Sequence, residues 1–365
     1  MKVATIFGAR PQFIKAAPVG RAFRAAGLKE IVIHTGQHYD DNMSAMFFDE
    51  LELPEPDYHL GVGPGTQGRQ TGRMLEKIEE VLLSETPDRV LVYGDTNSTL
   101  AGALAAAKLH IPLAHVEAGL RSFNRAMPEE INRVLVDHLS DMLLCPSQSA
   151  VDNLIGEGIT QNVHLIGDVM YDAILYYRSR SGARSKILGA LGLAPGTYIL
   201  ATVHRAENSD NPDRLAGIVS ALIELARNEP VVFPIHPRTR RQLENAGLLN
   251  LPIADSNFKP IEPIGYLDMI RLEDCARMIL TDSGGVQKEA YWLGVPCITL
   301  RDETEWVETV RSGWNVVVGA GKERILDAAR SFSPPAHRPH LYGDGQAAKE
   351  LVARLLDAEE AKEIV

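Results

Sequence analysis

The sequence predicts an α/β protein made of two domains in tandem, each a doubly wound parallel sheet. Three observations predict this fold class. Short β-branched runs recur along the chain, and each is followed by a loop and then by an amphipathic helical stretch. The runs are apolar at nearly every position, which is typical of parallel strands covered by helices on both faces. The 365 residues exceed what one hydrophobic core usually serves.

The first half of the chain contains six such runs. They are residues 2–7, 30–36, 89–95, 113–119, 142–147 and 163–168. Helical periodicity lies between them, for example over 71–83 and 98–109. A longer helical stretch over 171–193 then leads into the turn Ala-Pro-Gly at 194–196, where the alternation starts again.

The second half contains five further runs. They are residues 197–204, 230–236, 276–282, 296–302 and 314–319. The chain finishes in a polar-faced helical stretch, which we expect to cross back onto the first domain. We therefore predict a first domain at 1–168, joined by a helix of about 346–365, and a second domain at 169–345.

Composition excludes several function classes. A net charge of −11 disfavours nucleic acid and anionic lipid as partners. No apolar run approaches the ~20 residues of a membrane helix, and the first residues do not resemble a signal peptide. The three cysteines, Cys145, Cys275 and Cys297, are odd in number and far apart, so we expect no disulfide framework. Cys145 and Cys297 lie in apolar runs, so we expect them to be buried thiols. These features indicate a cytoplasmic protein.

The loop after the first run reads FGARPQFIKAAP. Gly8 allows a tight turn, and Arg10 and Lys15 place two cations near a helix start, which is a natural site for an anion. The alternative is a surface loop with solvated cations. Since neither a full Gly-x-Gly-x-x-Gly pattern nor a P-loop occurs, we expect no nicotinamide dinucleotide cofactor.

The string ILTDSGGVQKEA at 279–290 is a stronger signal for an anion site. Ser283, Gly284 and Gly285 open a helix directly after an apolar strand, so backbone N–H groups and a hydroxyl can approach a diphosphate closely. Glu289 follows about one helical turn later, where a carboxylate suits a ribose diol. The alternative is a simple helix cap at Ser283.

Three carboxylates in the first half are candidates for acid–base chemistry: Asp95, Glu117 and Glu129. Asp95 and Glu117 end apolar runs, where a charge is unfavourable unless it is paired or used. Arg121 and Arg133 are available partners, so a structural network of ion pairs is the alternative.

Histidines at strand ends are further candidates. His115 and Glu117 share one strand face, but a convincing third metal ligand is missing from the sequence, so we expect no metal site. His204 and His236 each end an apolar run in the second half. A single histidine in such a place is usually structural, whereas two that face an interdomain cleft leave the structural and the functional roles equally open.

Taken together, these segments resemble the non-hydrolysing UDP-N-acetylglucosamine 2-epimerases over essentially the whole chain. The motifs that carry the resemblance are GARPQFIKAAP, HTGQHYD (34–40), YGDTNSTLAGALAA (93–106), HVEAGLRS (115–122), PEEINR (128–133), HRAEN (204–208), TDSGGVQKEA (281–290) and GVPCITLRDETE. Their order and spacing make a chance match improbable, although each motif alone is weak.

The resemblance implies two Rossmann-like domains in the GT-B arrangement with a cleft between them, a UDP-sugar substrate, a homodimer, and no cofactor or metal. It implies that the nucleotide is held by Ser283, Gly284, Gly285 and Glu289, faced by Arg10 and Lys15. The family's catalytic acids and histidine carry over onto Asp95, Glu117, Glu129 and His204, with Arg133 in support. Some relatives also bind a regulatory UDP-GlcNAc, for which Gln37, His38 and Gln67 are loose candidates.

The sequence departs from the family pattern at two places. Gln12 stands where many members have Glu, and Trp306-Val307 stands where many have Arg-Pro. Because that Arg contacts ligand in relatives, another group must replace it here. The segments RPQFIKA, LRSFN and DETEWVE also resemble a subgroup that acts on UDP-2,3-diacetamido-uronic acids. That sugar, a GT-B glycosyltransferase, a hydrolysing epimerase and a nucleotide-sugar sensor are the alternative hypotheses.

Overall fold

A computed structural model describes residues 1–37, 51–247 and 257–363. The chain forms two compact units, one made of residues 1–175 and 340–365 and the other of residues 176–339. Each unit is an α/β structure in which helices cover a wholly parallel sheet. The predicted fold class is thus confirmed.

The first unit contains a sheet of seven strands within the described residues. They are β1 Lys2–Phe7, β2 Lys29–His34, β3 Tyr58–His59, β4 Arg89–Tyr93, β5 Leu113–Val116, β6 Met142–Cys145 and β7 Val163–Leu165. Their order is β3-β2-β1-β4-β5-β6-β7. The chain winds outward in both directions from the β1–β4 pair, and ligands of open α/β sheets bind beyond the carboxyl ends of strands at such a point.

The helices of this unit cover the sheet with apolar faces. They are Arg10–Ala25, Gln67–Glu85, Asn97–Lys108, Pro128–Leu139, Gln148–Gly156 and Ala347–Glu363, with the first part of Val169–Arg184. One core cluster joins Ile6 and Val92 of the sheet to Met74 and Ile78 of a covering helix. The final helix packs against Arg10–Ala25 and so belongs to the first unit.

The second unit repeats this plan with six strands in the part of the chain that is described. They are β8 Ile199–Thr202, β9 Val231–Pro234, β10 Phe258–Ile261, β11 Met278–Thr281, β12 Cys297–Thr299 and β13 Asn315–Val317, in the order β10-β9-β8-β11-β12-β13. The helices are Ile187–Leu191, Ala206–Ser209, Pro212–Leu225, Pro237–Asn245, Tyr266–Cys275, Gly284–Leu293, Val307–Arg311 and Lys322–Ser331. The winding point lies between β8 and β11.

All eleven apolar runs contain a strand, whereas the sequence analysis missed β3 and β10. Both missed strands lie at a sheet edge, where one side of the backbone needs no partner strand. β3 has only two residues, and β10 is partly exposed and includes Pro260, which is tolerated at an edge. Neither has the apolar signature of a buried central strand.

Two further expectations can be compared with the structure. The predicted helix over 171–193 is divided into Val169–Arg184 and Ile187–Leu191, and the division between the two units falls inside the first of these. All three cysteines are buried free thiols, and burial was predicted for Cys145 and Cys297. Among the described residues, no helix combines the length and apolar character that a bilayer crossing requires.

The start of the final helix provides a prediction about pH. Asp172 accepts hydrogen bonds from the backbone N–H groups of Ala347 (3.1 Å) and Ala348 (2.8 Å). Burial nevertheless raises the pKa of Asp172 to about 6. Because the folded protein holds this proton more tightly than the unfolded chain, stability on the order of 2 kcal/mol should be lost as pH rises from about 4 to about 6.

We expect Asp172→Asn to remove this dependence, since its amide oxygen still accepts from the helix start. Urea unfolding of both proteins at pH 4 to 7 would measure it. Glu80→Gln, a change at an exposed carboxylate of the helix Gln67–Glu85, is the control. Parallel pH profiles for wild type and Asp172→Asn would contradict the prediction.

Candidate functional site

The first strand-end turn in the first unit is held by Gln12. Its side-chain oxygen accepts from the backbone N–H groups of Gly8 (2.9 Å) and Ala9 (3.0 Å), which closes the N-terminus of the helix Arg10–Ala25. Its amide nitrogen donates to the Tyr93 carbonyl (2.8 Å) and to the Thr99 hydroxyl (3.0 Å). This departure from the family pattern therefore joins β1 to β4, and a carboxylate could not donate to Tyr93.

Glycine is required at position 8 because neighbouring side chains leave no room for a Cβ atom. A Cβ there would lie 1.9 Å from Thr35 Oγ1 and 2.5 Å from Ser98 Oγ. Ser98 also donates to Gln37 Oε1 (2.7 Å), and Asn97 donates to Gln67 Oε1 (2.7 Å). Both candidate regulatory glutamines thus bond to the start of one helix, while His38 lies outside the described residues.

Lys15 and Glu117 form an ion pair beside the next turn. Both side chains are nine-tenths buried, and Lys15 Nζ contacts Glu117 Oε2 directly. Glu117 adopts φ +70°, an unfavourable backbone conformation for a residue with a Cβ. A Cβ on Gly94 would lie 3.1 Å from Lys15 Nζ and 3.3 Å from Glu117 Oε2, so the turn before Asp95 borders this pair.

Asp95 pairs with Arg133, whose guanidinium also lies 3.3 Å from Glu130 Oε2. Glu130 is buried and accepts from the backbone N–H groups of Ser122 and Phe123, each at 2.9 Å. Burial alone would raise the pKa of Glu130, but these hydrogen bonds and the charge of Arg133 hold it below its usual value. Glu130 is therefore an ionised anchor for the loop before its helix, whereas the candidate Glu129 is exposed.

The alternative interpretation of Asp95 and Glu117, as members of a structural network of ion pairs with Arg121 and Arg133, agrees with the structure in part. Each does have a cation, although the partner of Glu117 is Lys15. Arg121 instead donates to Asp137 (2.6 Å) and to both oxygens of Glu157 (2.7 Å each). His115 is within 2.7 Å of Asp137 through Nδ1 and of the Gly94 carbonyl through Nε2. Both ring nitrogens thus have protein partners.

In the second unit, buried Asp282 organises the residues that follow β8. Its carboxylate accepts from the backbone N–H groups of His204 (3.0 Å) and Arg205 (3.1 Å) and from the Asn208 amide (3.0 Å). His204 Nδ1 lies 3.6 Å from Asp282, and its half-exposed ring lies 5.8 Å from the ring of His236. The two strand-end histidines are thus neighbours, and Asp282 orients one of them.

The Ser-Gly-Gly turn begins the helix Gly284–Leu293. Ser283 is its N-cap and accepts from the Val286 N–H at 3.5 Å, so the cap interpretation also holds. A Cβ on Gly284 would lie 2.5 Å from Glu305 Oε1 and 3.0 Å from Trp306 Nε1. Glycine at this position keeps the helix start clear beside two polar groups.

Trp306 occupies the place of the family's Arg and packs on a cation from another element. Lys288 Nζ lies 4.0 Å from the centroid of the Trp306 ring and 5.4 Å from that of Trp292. Lys288 is only 1% exposed, although its sequence position gave no reason to single it out. A buried positive charge therefore remains next to residue 306 after the loss of the Arg side chain.

Glu289 is also buried and meets a second carboxyl group, that of Glu273. Burial, followed by the charge of Glu289 and a hydrogen bond with it, raises the pKa of Glu273 well above its usual value. Two adjacent buried carboxyls cannot both ionise readily, so the folded protein holds the proton of Glu273 more tightly than an exposed glutamic acid would. The sequence analysis missed Glu273 because nothing in its helical context marks it as an acid pair.

The structure brings the candidates together in two separate sets. In the first unit, Asp95 and Glu117 follow the adjacent strands β4 and β5 and pair with Arg133 and Lys15, which lie on two of the helices. In the second unit, His204, Ser283 and Gly284 follow β8 and β11. Arg10 begins the first helix, but its side chain lies outside what the structure describes. Asp137, Asp282, Lys288 and Glu273 were not predicted; only Asp282, at a strand end, carried a recognisable signal.

Two Rossmann-like units, one with clustered acids and one with an accessible helix N-terminus at its winding point, define a GT-B-type enzyme of nucleotide-sugar chemistry. The chain matches the family described as UDP-N-acetylglucosamine 2-epimerase over residues 21–356. It belongs to that family, whose members are isomerases.

Individual relatives extend the match to nearly the full length. A UDP-N-acetylglucosamine 2-epimerase homolog of Methanococcus maripaludis is 55% identical over 96% of this chain and 98% of its own. The UDP-2,3-diacetamido-2,3-dideoxy-D-glucuronate 2-epimerase of Pseudomonas aeruginosa is 52% identical over 97% and 99%. The crystal structure of Methanocaldococcus jannaschii UDP-GlcNAc 2-epimerase with UDP-GlcNAc and UDP has a TM-score of 0.88 at 46% identity, covering 98% and 99%.

The Glu273–Glu289 pair generates a prediction for the second unit. Since the folded protein holds the Glu273 proton more tightly than the unfolded chain does, stability should fall as pH rises above about 4.5 and through the raised pKa. Glu273→Gln stays neutral and retains a donor for Glu289, so we expect its melting temperature to fall less between pH 5 and 9. Calorimetry of wild type, Glu273→Gln and the exposed control Glu244→Gln would test this. An equal fall in all three proteins would refute the proton-sharing pair.

Proposed function

We propose that this protein is a non-hydrolysing UDP-N-acetylglucosamine 2-epimerase, which interconverts UDP-GlcNAc and UDP-ManNAc by eliminating and re-adding UDP. The observation that carries the proposal is the adjacency of two ion-paired acids, Asp95 and Glu117, in a chain that is 46% identical to a solved UDP-GlcNAc 2-epimerase. A transferase needs no pair of acids around one sugar carbon that loses and regains a proton.

The second unit offers the groups that a uridine diphosphate requires. Backbone N–H groups at the start of Gly284–Leu293 and the Ser283 hydroxyl suit the diphosphate oxygens. His204 adds a donor at the neighbouring strand end. Glu289, in the second turn of the same helix, is the proposed acceptor for the ribose hydroxyls, and Arg10 is proposed to contact the phosphates.

The chemistry explains why acids alone are insufficient. The C2 hydrogen of an N-acetylhexosamine is not acidic, because no carbonyl adjoins that carbon in the ring. The C1–O bond to UDP must loosen first, which gives C1 oxocarbenium character and acidifies C2–H. Loss of the C2 proton then yields a 2-acetamidoglucal and UDP, and proton return to the opposite face followed by re-addition of UDP inverts C2.

The first unit supplies the proposed proton-transfer groups. Asp95, Glu117 and Glu129 share the tasks of accepting the C2 proton, returning it and stabilising the cationic sugar. Lys15 and Arg133 balance the carboxylate charge of Glu117 and Asp95. Donors at the helix start stabilise the negative charge that develops on the leaving diphosphate.

Exchange of the C2 hydrogen tests the reaction class. In deuterated water, we expect deuterium at C2 of both recovered UDP-GlcNAc and the UDP-ManNAc formed, with no lasting accumulation of UDP. Proton NMR of the mixture measures both. Steady release of UDP would instead indicate a hydrolysing enzyme, and acceptor-dependent release without exchange a transferase.

Variants should separate nucleotide binding from proton transfer. We expect Asp95→Asn and Glu117→Gln to slow exchange by about 100-fold or more while UDP still binds. Gly284→Ala should weaken UDP binding by about 10-fold or more, since its methyl group would press on Glu305 and Trp306. Gly189→Ala, where an added Cβ meets nothing within 4 Å, is the control. Calorimetric UDP titration and exchange rates measure the two effects. Weak UDP binding by Asp95→Asn would contradict this division of labour.

A second substrate, a UDP-2,3-diacetamido-uronic acid, is favoured by a specific observation. The relative named for that activity is 52% identical, and buried Lys288 beside Trp306 provides a cation that suits a sugar carboxylate. NMR competition between the two UDP-sugars discriminates them. We expect faster turnover of UDP-GlcNAc, and exclusive turnover of the uronate would replace the first assignment.

We further propose that the enzyme is a cytoplasmic homodimer. Three buried free thiols support a reducing compartment. Ile131 and Leu135, one turn apart on the helix Pro128–Leu139, are about half exposed and offer an apolar stripe for a second copy.

A further inference from the structure

The two turns that carry Asp95 and Glu117 are both bonded to one buried carboxylate, Asp137. Asp137 lies on the helix Pro128–Leu139 and is only 1% exposed. Its Oδ1 lies 2.7 Å from His115 Nδ1, and its Oδ2 accepts from the Gly119 N–H (3.1 Å) and from Arg121 Nη1 (2.6 Å).

One branch of this network reaches the turn that contains Asp95. His115 is fully buried and also approaches the Gly94 carbonyl at 2.7 Å through Nε2. The carboxylate and the carbonyl are both acceptors, so each ring nitrogen of His115 faces an acceptor. Gly94 has φ +61° and immediately precedes Asp95, so its carbonyl sets the direction in which the turn leaves β4.

The other branch reaches the turn that contains Glu117. Asp137 binds the Gly119 N–H directly, and Arg121 donates to the Leu120 carbonyl at 2.7 Å. Glu117 adopts the left-handed conformation that a residue with a Cβ disfavours, so the turn needs contacts from outside itself to hold it. Asp137 and Arg121 supply them.

We propose that Asp137 is a positioning residue that sets the placement of Asp95 relative to Glu117, acting through His115 on one turn and through Gly119 and Arg121 on the other. This inference rests on the proposed function, in which both acids act on one sugar carbon. Asp137 does not touch the substrate in this scheme. It fixes the turns that carry Asp95 and Glu117 to one rigid point. A displacement of about 1 Å in groups that contact the substrate can slow a reaction about 100-fold.

The charges around Asp137 are matched, as expected of a residue that holds two turns in fixed positions. Burial alone would raise the pKa of Asp137, but the hydrogen bond and charge of His115, together with Arg121, hold the pKa below its usual value. Arg121 is itself held in place, because it donates two parallel hydrogen bonds of 2.7 Å to the Glu157 carboxylate. His115, Asp137 and Arg121 therefore each have hydrogen-bonded partners within the first unit.

Two isosteric changes at His115 test the idea without removing the buried carboxylate. The amide nitrogen of Asn replaces Nδ1, so His115→Asn keeps the bond to Asp137 and loses the one to Gly94. The amide nitrogen of Gln replaces Nε2, so His115→Gln keeps the bond to Gly94 and loses the one to Asp137. Asp141→Asn is the control, because Asp141 accepts from the Leu113 N–H (2.8 Å) at the opposite end of the same strand.

We expect both His115 variants to slow C2 deuterium exchange and epimerisation about 10- to 100-fold, with the UDP dissociation constant unchanged within about twofold. Asp141→Asn should keep nearly the wild-type rate even if its melting temperature falls as much. A folded His115→Gln variant with the wild-type rate would overturn the proposal, since position would then come from the Gly94 bond alone. A loss of rate in Asp141→Asn equal to that of the His115 variants would also overturn it, because general destabilisation would explain both.

The same data test this inference and the proposed function by two different measurements. Exchange by the wild-type protein tests the reaction, whereas the ratio of variant to wild-type rates tests Asp137. Absence of exchange in wild type would reject the epimerase, and the bond from Asp137 to His115 would then be judged from the nitrogen-15 signal of His115 Nδ1, which should be that of a hydrogen-bonded N–H.

Discussion

A charge at the end of a buried parallel strand has to be met by hydrogen bonds or by an opposite charge, and this constraint organises both halves of the protein. Water does not reach the strand ends freely, so an unmatched carboxylate there would be strongly unfavourable. Asp282 is matched by three N–H donors and Asp137 by a histidine, a backbone N–H and an arginine. These two buried acids hold in place the turns on which the candidate functional side chains stand.

The groups that border the strand ends differ between the two units. In the first unit, carboxylates that border the strand ends are matched by the side-chain cations of Lys15 and Arg133. In the second, a helix N-terminus and His204 present donors, and the carboxylate of Glu305 is matched by Arg301 at 2.8 Å. Burial alone would raise the pKa of Glu305, but the charge of Arg301 keeps it lowered. Cations are therefore concentrated locally at these sites, although the net charge of the whole chain is −11.

Much of the fold was accessible from the sequence because buried parallel strands are apolar at nearly every position. The edge strands β3 and β10 were not, since an edge position tolerates polar residues and Pro260. The strand-end location of Asp95, Glu117 and His204 followed from the same pattern. The partners of those residues did not, because pairing depends on which helix face turns inward: Asp137 and Glu130 look like ordinary helical acids until the helix Pro128–Leu139 is placed against the sheet.

The division of charge between the units also fits the order of events in the proposed reaction. Breaking the C1–O bond leaves positive charge on the sugar and negative charge on the diphosphate, and these two products need opposite partners. Carboxylates occur in the first unit's set, and backbone donors in the second's. An enzyme that began by removing the C2 proton would need a strong isolated base, whereas Glu117 and Asp95 are each tied to a cation. Ion-paired carboxylates are better suited to receive a proton that has become acidic because the leaving group has already begun to depart.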